Sequence, residues 1–233
     1  MTDSRVVVHF SCGAASAVAA KLATAVYGPN RVVIVRAWIE EEHADNDRFS
    51  ADCERWFNHP ITILRDEKYG ASTLEVWRRE RYIKGPSGAS CARALKRKLL
   101  AGFAQPNDLH SVGFTAEEED RLDEIRRSNP TMAWESLLIE RGLRKADCLA
   151  IVERAGIELP AMYKLGFNNN NCIGCPKGGK GYWNQIRRVF PERFIQIADL
   201  QESIGEGAYF LQDTKTGGRM KLRDLPPNAG RHM

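Results

Sequence analysis

The amino-acid sequence predicts an α/β chain: a doubly wound, mostly parallel five-stranded sheet with helices on both faces and a helical C-terminal part. Three observations carry this. Arg5–Phe10 (RVVVHF) and Arg31–Trp38 (RVVIVRAW) are short apolar runs rich in β-branched residues, as in strands buried on both faces. Between them, Ala14–Tyr27 is Ala-rich and composed of good helix formers, and Gly28-Pro29-Asn30 stops it. A further helical pattern to about Phe57 precedes a third strand, Ile61–Leu64, set off by Pro60. The order strand–helix–strand–helix–strand implies a parallel sheet with helices on both faces.

The middle of the chain is less regular. Ser72–Tyr82 reads as a helix, Gly85–Ser90 as a loop and Cys91–Phe103 as a basic amphipathic helix. Leu109–Thr115 returns as a strand and Ala116–Arg127 as a charged helix. Lys145–Ala155 is helical and closed by Gly156, and Pro160–Gly166 is a helical turn. Asn168–Gly181 is a polar, Gly-rich loop, followed by one long helix, Tyr182–Ile204. The expected organisation is a single domain over residues 1–204 and a tail over 205–233 that forms a hairpin at most.

A chain of 233 residues with 43% hydrophobic and 27% charged residues has the composition of a soluble globular protein. No apolar run approaches the roughly 20 residues that cross a bilayer, so no membrane partner is expected. The N-terminus enters a strand pattern without the apolar stretch of a signal peptide, and a cytoplasmic location is expected. The net charge of +4 does not by itself require a nucleic acid. Its distribution is informative, however. Residues 78–98 carry Arg78, Arg79, Arg81, Lys84, Arg93, Lys96, Arg97 and Lys98 against Glu80, and residues 177–188 carry Lys177, Lys180, Arg187 and Arg188 without an acid. Two such stretches suit an anionic ligand; solvated helix faces are the plainer reading of each.

The first chemical signal is the turn leaving the first strand. Ser11-Cys12-Gly13-Ala14-Ala15-Ser16 stands between a strand and a helix, and its small residues let backbone N–H groups approach an oxyanion at the positive end of the helix. The hydroxyls of Ser11 and Ser16 can add hydrogen bonds. A tight turn with a serine cap explains the same pattern without a ligand. It is neither a Walker A loop nor a G-x-G-x-x-G fingerprint.

Phe10–Val18 (FSCGAASAV) resembles the PP-loop of the adenine nucleotide alpha-hydrolases, written S-G-G-x-D-S: Ser11, Gly13 and Ser16 match, Cys12 stands at a glycine and Ala15 at an aspartate. Ile34–Asn46 (IVRAWIEEEHADN) is similar to the second strand and acidic loop of that superfamily. The resemblance places Ala37 and Trp38 beside an adenine and Glu42 at an acidic position. Without it, Glu40–Glu42 reads as a solvated turn. Gly113–Arg121 (GFTAEEEDR) resembles a strand end that carries arginine in relatives, where Thr115 stands here. The similarity runs from about residue 5 to 190 and points to the phosphoadenosine phosphosulfate (PAPS) reductase-like branch. It implies the five-stranded fold shared with the wider HUP class, and a nucleotide held by Ser11, Cys12, Gly13, Ala14 and Ser16, with magnesium as its accompanying ion.

The six cysteines divide by context. Cys148 lies in an apolar helical pattern and reads as core, and Cys53 lies on a helix. Cys172-Ile173-Gly174-Cys175 is a C-x-x-C in a loop, which lets two thiolates of one turn bind the same metal or cluster. Cys91 is the best third ligand: it begins a basic helix (SCARALKRK), where the helix dipole and nearby cations favour thiolate. Cys91–Lys96 also resembles the Cys-Cys-x-x-x-Lys stretch of iron–sulfur adenylyl-sulfate reductases, with Ala92 in place of the second cysteine. This implies a [4Fe-4S] cluster on Cys91, Cys172 and Cys175, with one iron left open for a sulfide. Zinc with a non-cysteine fourth ligand, or a thiol pair without metal, are the alternatives. No cysteine follows Cys175, so the C-terminal catalytic cysteine of typical sulfonucleotide reductases has no counterpart.

The resemblance thus implies an enzyme that adenylates a substrate carbonyl oxygen with ATP and then transfers sulfur. Cys91, Lys96 and Arg93 would be its catalytic residues, and Lys180 would meet the nucleotide phosphates. Reduction of a sulfonucleotide by an external thiol is a second reading. A non-catalytic nucleotide- or nucleic-acid-binding module with a structural metal is a third. Beyond the adenine nucleotide, the expected partners are tRNA or DNA through the two basic segments, and a second copy of the chain in a homo-oligomer. Tyr182 and Trp183 suit either a nucleobase or inward packing, and Asn168–Asn171 a ligand or turns. His9 reads as a satisfied core residue, and His43, in the acidic loop, as the histidine worth testing.

Overall fold

The computed structural model describes residues 4–213 and 217–230. In chain order its elements are β1 (Val6–His9), α1 (Ala14–Tyr27), β2 (Val32–Ala37), α2 (Asp45–Phe57), β3 (Ile61–Leu64), α3 (Thr73–Glu80), β4 (Lys84–Gly85) and β5 (Gly88–Ala89). Then follow α4 (Ser90–Ala92), a π-helical turn (Arg93–Arg97), α5 (Lys98–Phe103), β6 (Leu109–Val112), a 3₁₀ turn (Ala116–Glu118), α6 (Glu119–Ser128), β7 (Ala133–Glu135) and α7 (Leu137–Glu140). The rest comprises α8 (Lys145–Arg154), α9 (Ala161–Lys164), α10 (Lys180–Val189), α11 (Pro191–Ile204), a 3₁₀ turn (Glu206–Ala208), β8 (Leu211–Gln212) and β9 (Arg219–Met220). The chain forms two compact units. One holds the residues up to Ala37, Ala44–Leu64 and Gly102–Lys164; the other holds Trp38–His43, Arg65–Ala101 and the residues from Leu165 on.

The first unit contains a five-stranded sheet in the order β3-β2-β1-β6-β7, every pair parallel. β1 lies in the middle, with Val6 opposite both Val32 and Leu109. Alternate residues serve opposite faces. Val6, Val8, Phe10, Val32 and Ile34 pack under α1, α2, α7 and α8 in one cluster with Ala17, Phe49, Leu138 and Val152. Val7 and Val35, on the other face, are equally buried. Burial on both faces is why these strands are continuous apolar runs rather than alternating ones. Four strands follow the sequence reading. The fifth, β7, is only three residues long and extends the sheet from β6, with Leu109 opposite Ala133.

Alongside Val7, the second face carries His9, His110 and Trp134. His9 Nε2 and His110 Nδ1 are 3.0 Å apart, and the His110 ring stacks on Trp134 at 4.7 Å between centroids. The expected partnering of His9 agrees with this geometry, although the side chain is half-buried rather than fully in the core. Burial first, and the charge of His110 second, hold the His9 imidazole down to about 3.

The second unit is helical with small hairpins. α3 packs on α4 and α11, and α10 on α11. Its interior is built from Trp77, Ile83, Leu95, Trp183, Ile186 and Ile197, each at most 1% exposed. Burying one such isoleucine contributes about 1.5–3 kcal/mol. The single long helix expected over Tyr182–Ile204 is in fact two. Phe190 (φ −131°, ψ 62°) leaves the helical region and Pro191 starts α11. Proline disfavours the helical conformation of the residue before it and suits the first helical position, so the break belongs at that point. Two further expectations are corrected. The Gly85–Ser90 loop contains the antiparallel pair β4-β5, with Gly88 at φ +92°, and the basic helix from Cys91 passes through the π-helical turn at Arg93–Arg97. β8 and β9 pair antiparallel near the C-terminal end.

Candidate functional site

In the first unit, the chain leaves β1 at Ser11 and starts α1 at Ala14. The first intrahelical bond runs from the Ala17 N–H to the Gly13 carbonyl. The N–H groups of the preceding helical residues therefore face the loop, and Gly13 offers no side-chain cap. Ser16 Oγ organises the turn: it accepts from the Ser11 N–H at 3.1 Å and donates to the Gly13 carbonyl at 2.9 Å. The Ser11 hydroxyl lies 3.3 Å from it, and Ser11 itself is exposed. Cys12 takes the left-handed conformation (φ +57°) that glycine adopts at least cost, which accounts for glycine at this position in the resembled motif. Its side chain is fully buried, with the sulfur 3.9 Å from the Asn46 carbonyl.

Two residues support this loop that sequence reasoning did not assign to it. A Cβ on Gly113 would lie 2.7 Å from Ser16 Cα and 2.8 Å from Ser16 N, so a glycine after β6 is what lets α1 start against that strand end. The Tyr163 hydroxyl reaches the Ala14 N–H at 3.4 Å. Thr115 caps the next helical turn in a reciprocal box with Glu118. The T-x-x-E spacing was legible for that role.

In the second unit, Glu40–Glu42 is not a uniformly solvated turn. Glu40 is exposed. The Glu41 carboxylate, 2% exposed, accepts from Ser72 Oγ (2.6 Å), Thr73 N (2.7 Å) and Leu74 N (3.4 Å) at the start of α3. Here it satisfies N–H groups that the helix leaves open and opposes the positive end of its dipole. Glu42 Oε1 lies 3.7 Å from Lys96 Nζ. The Trp38 ring carries the Arg65 guanidinium over its face at 3.9 Å, and the His43 ring meets Phe190 edge-on.

A buried hydroxyl bridges the C-x-x-C turn. Tyr182 Oη accepts from the N–H groups of Gly174 (3.1 Å) and Cys175 (2.9 Å) and donates to the Cys172 carbonyl (2.8 Å). Gly174 sits at φ +93°, and a Cβ there would meet Ile197 Cδ1 at 2.2 Å. Tyr182 and Trp183 are 6% and 0% exposed, so both aromatics pack inward and are not displayed to a nucleobase.

Cys91 joins this pair in the electrostatics of the unit. Burial pushes the Cys91 thiol up to about 11, with Cys175 adding to the shift and Trp77, Lys96 and the Ala92 N–H opposing it. Burial likewise raises Cys172; Lys96 opposes this, while Glu42, Cys175 and Cys91 add to it. The expectation that a helix start and basic neighbours lower the Cys91 pKa is therefore corrected: at 8% exposure, loss of solvent outweighs them. Lys96 is the cation these groups share. Burial works against its charge, but Cys172, Glu42, Cys175 and Cys91 together hold its pKa above the ordinary lysine value.

Among the described residues, no three His, Cys, Asp or Glu side chains stand close enough together for one metal ion. A cluster asks for something different, because each thiolate binds its own iron and the sulfurs stand further apart than around a single ion. Cys172 and Cys175 on a turn fixed by Tyr182, and Cys91 on the segment that carries Lys96, a cation that would offset negative charge, are the donors such a cluster would take.

The remaining expected residues lie elsewhere. The Arg93 guanidinium is engaged by Glu80 at 2.6 Å. Lys180, the first residue of α10, lines a cavity of about 610 Å³ with Tyr209, Arg219 and Lys221. Much of the basic character is used internally: Arg78 and Arg79 pair with Glu75, Arg81 donates to the carbonyls of Ser203 and Ile204, and Arg187 donates to those of Leu222 and Leu225. Arg97, Lys98 and Lys177 are exposed. Cys53 and Cys148 are fully buried, Cys148 in the core as expected. No described helix is long and apolar enough to cross a membrane.

No family model matches the sequence, and no curated protein matches it. Solved structures do match. One is the U34-tRNA thiolase NcsA from Methanococcus maripaludis, determined with its [4Fe-4S] cluster; the TM-score is 0.50 at 12% identity, over 88% of this chain and 70% of that one. At that identity the likeness is one of fold, and with the five parallel strands and their helices it establishes an α/β chain of the HUP type.

Proposed function

We propose that the chain is a PP-loop enzyme of the PAPS reductase-like kind that uses ATP to activate a substrate oxygen and then replaces that oxygen with sulfur. One observation carries the reading: Lys96, on the segment that Cys91 opens, lies 3.7 Å from Glu42, and the carbonyl of the adjacent Glu41 accepts from the N–H of Ile173 between Cys172 and Cys175, so the segments bearing the three cysteines meet at the acidic loop. The loop Ser11–Ser16 would supply N–H groups and hydroxyls for the nucleotide phosphates, and magnesium would accompany the nucleotide to offset phosphate charge. Ala37, Trp38 and Glu42 are proposed to contact the nucleoside. Cys91, Cys172 and Cys175 would hold a [4Fe-4S] cluster, which when bound offers one iron without a protein ligand.

The chemistry balances without an oxidant. The substrate carbonyl oxygen attacks the α-phosphorus of ATP, the bond to the β-phosphate breaks, and pyrophosphate leaves. A hydrosulfide then adds at the activated carbon, the C–O bond breaks, AMP departs with the oxygen, and the sulfur gives up its proton to solvent, leaving C=S. Charge builds on phosphate oxygens in the first step. Lys96 and Lys180 are the cations proposed to offset it. Arg93 would join them only by leaving Glu80. The fold neighbour is a tRNA thiolase, and the exposed Arg97, Lys98 and Lys177 suit a polyanion, so tRNA is the proposed acceptor.

The test is anaerobic purification with iron, sulfide and zinc analysis, followed by ATP, tRNA and sulfide. Pyrophosphate and AMP formed together with thiolated tRNA support the reading, and Cys91→Ala, Cys172→Ala and Cys175→Ala should each abolish cluster and product. A zinc-only protein that releases no pyrophosphate rejects it in favour of a non-catalytic module. Sulfite formed from a sulfonucleotide and an external thiol would instead make the chain a reductase.

A further inference from the structure

β2 and β3 end side by side, with Ala37 opposite Leu64 as their last register pair. The residues that follow these two, Trp38 and Arg65, meet: the Arg65 guanidinium lies over the Trp38 ring, 3.9 Å from its centroid. That is well inside the roughly 6 Å at which a cation and a ring face attract. Arg65 is exposed and Trp38 half-exposed. Among the described residues no carboxylate or carbonyl engages Arg65. Its neighbour Asp66 is spent within the loop, where it accepts from the Tyr69 N–H at 2.6 Å. The loops that carry the pair are tied together, because the Glu40 N–H donates to the Ala71 carbonyl at 3.1 Å and the Glu41 carboxylate caps α3. The stack is therefore in place before any ligand arrives, with one face of the guanidinium on the ring and the other turned to solvent.

A planar cation resting on an aromatic ring offers a flat surface to a π-system, and nucleobases stack on guanidinium planes as they do on aromatic side chains. A phosphate suits that surface less well, since the guanidinium N–H groups point outward within its plane and not away from it. The position also fits a ligand. In open α/β sheets ligands lie outside the carboxyl ends of the strands, and Trp38 and Arg65 leave two neighbouring ends. We infer that Arg65 is a binding residue for the adenine of the nucleotide: the base stacks on the outer face of the guanidinium, in a sandwich of Trp38, Arg65 and adenine. The inference rests on the reading of Trp38 as part of the nucleotide site, and deepens it. Trp38 gives its face to Arg65 and keeps its ring edge for the nucleoside.

The experiment titrates wild-type chain, Arg65→Lys and Arg65→Ala with ATP, AMP and pyrophosphate by calorimetry. Both variants should weaken ATP and AMP by the same factor, about 5- to 100-fold, the range of one stacked base, and leave pyrophosphate unchanged. Arg65→Lys keeps the charge and loses the plane, so it should behave like Arg65→Ala and not like wild type. Arg65 is exposed, so both variants should melt with the wild-type chain. Pyrophosphate affinity that falls in Arg65→Ala and returns in Arg65→Lys would make Arg65 a phosphate contact and overturn the inference. Equal ATP affinity in all three chains overturns it as well, and leaves the nucleotide reading standing. Wild-type chain that binds neither ATP nor AMP overturns that reading and the inference together.

Discussion

The main-chain N–H of Ile173 donates to the main-chain carbonyl of Glu41 at 2.8 Å. Through this bond the acidic loop, whose Glu41 side chain caps α3, also fixes the turn between Cys172 and Cys175. One residue thus holds two of the segments that the proposed chemistry needs.

Glu41→Ala should therefore destabilise more than a typical surface change. It strips the Thr73 N–H and the Ser72 hydroxyl of a charged acceptor in a buried setting, at a cost of about 2–3 kcal/mol. Glu41→Gln keeps one acceptor and should lose about half as much. Urea denaturation of both variants checks this; a change below about 0.5 kcal/mol for the alanine variant would contradict it.

Gly113→Ala should damage the nucleotide loop. The new Cβ meets the backbone of Ser16 inside van der Waals contact, and backbone yields less easily than a side-chain tip. A loss of about 1–3 kcal/mol is expected, together with weaker ATP binding by calorimetry. Gly102→Ala is the control. It lies within α5 with open space around its Cβ position and should stabilise by roughly 0.5–1 kcal/mol.

Acid should unfold this protein through His9 and His110. The folded-state pKa of His9 is about 3, and burial also lowers that of His110, while the unfolded chain titrates near its ordinary 6.5. Below that value the unfolded state takes up protons that the folded state refuses, so stability is full above about pH 6.5 and falls steadily toward pH 3. By pH 5 the loss from His9 alone is about 2 kcal/mol. His9→Gln, which keeps a hydrogen-bonding group toward His110, should flatten the profile of unfolding free energy between pH 6.5 and 5. An unchanged slope would show that other groups set it.

The basic residues should separate into two classes. Arg187 donates to the carbonyls of Leu222 and Leu225 and lies over the Phe194 ring at 4.5 Å. Arg187→Ala should speed hydrogen exchange around residues 219–229 without altering the salt dependence of tRNA binding. Arg97→Ala and Lys98→Ala should each reduce the slope of log K against log salt by up to about 1, with stability unchanged. The reverse pattern would place the polyanion on Arg187's side of the unit.

Much of the first unit was legible because its signals are local. β1, β2 and β3 are continuous apolar runs, α1 has a stop at Gly28, and Ser11–Ser16 stands where a strand turns into a helix. In such segments each residue's preference agrees with that of its neighbours, so the pattern survives without the fold around it. β7 was not legible, because Ala133–Glu135 is too short for any periodicity and pairs only because β6 already offers an edge. The break at Pro191 was legible in principle from the proline rule, and was obscured by good helix formers on both sides.

The sequence by itself determined the α/β class, the small-residue turn after β1, the C-x-x-C and the candidacy of Cys91, since each depends on residue type and spacing alone. Tertiary structure decided what those residues experience. At Cys91, burial pushes the thiol pKa up and outweighs the basic residues beside it in sequence. A tyrosine that reads equally well as a nucleobase platform proves to be the clamp of the cysteine turn, and an apparently solvated glutamate proves to be a buried helix cap. The physical reason is the same in each case: desolvation and hydrogen-bond pairing depend on distant segments brought into contact, and spacing along one segment carries no record of them.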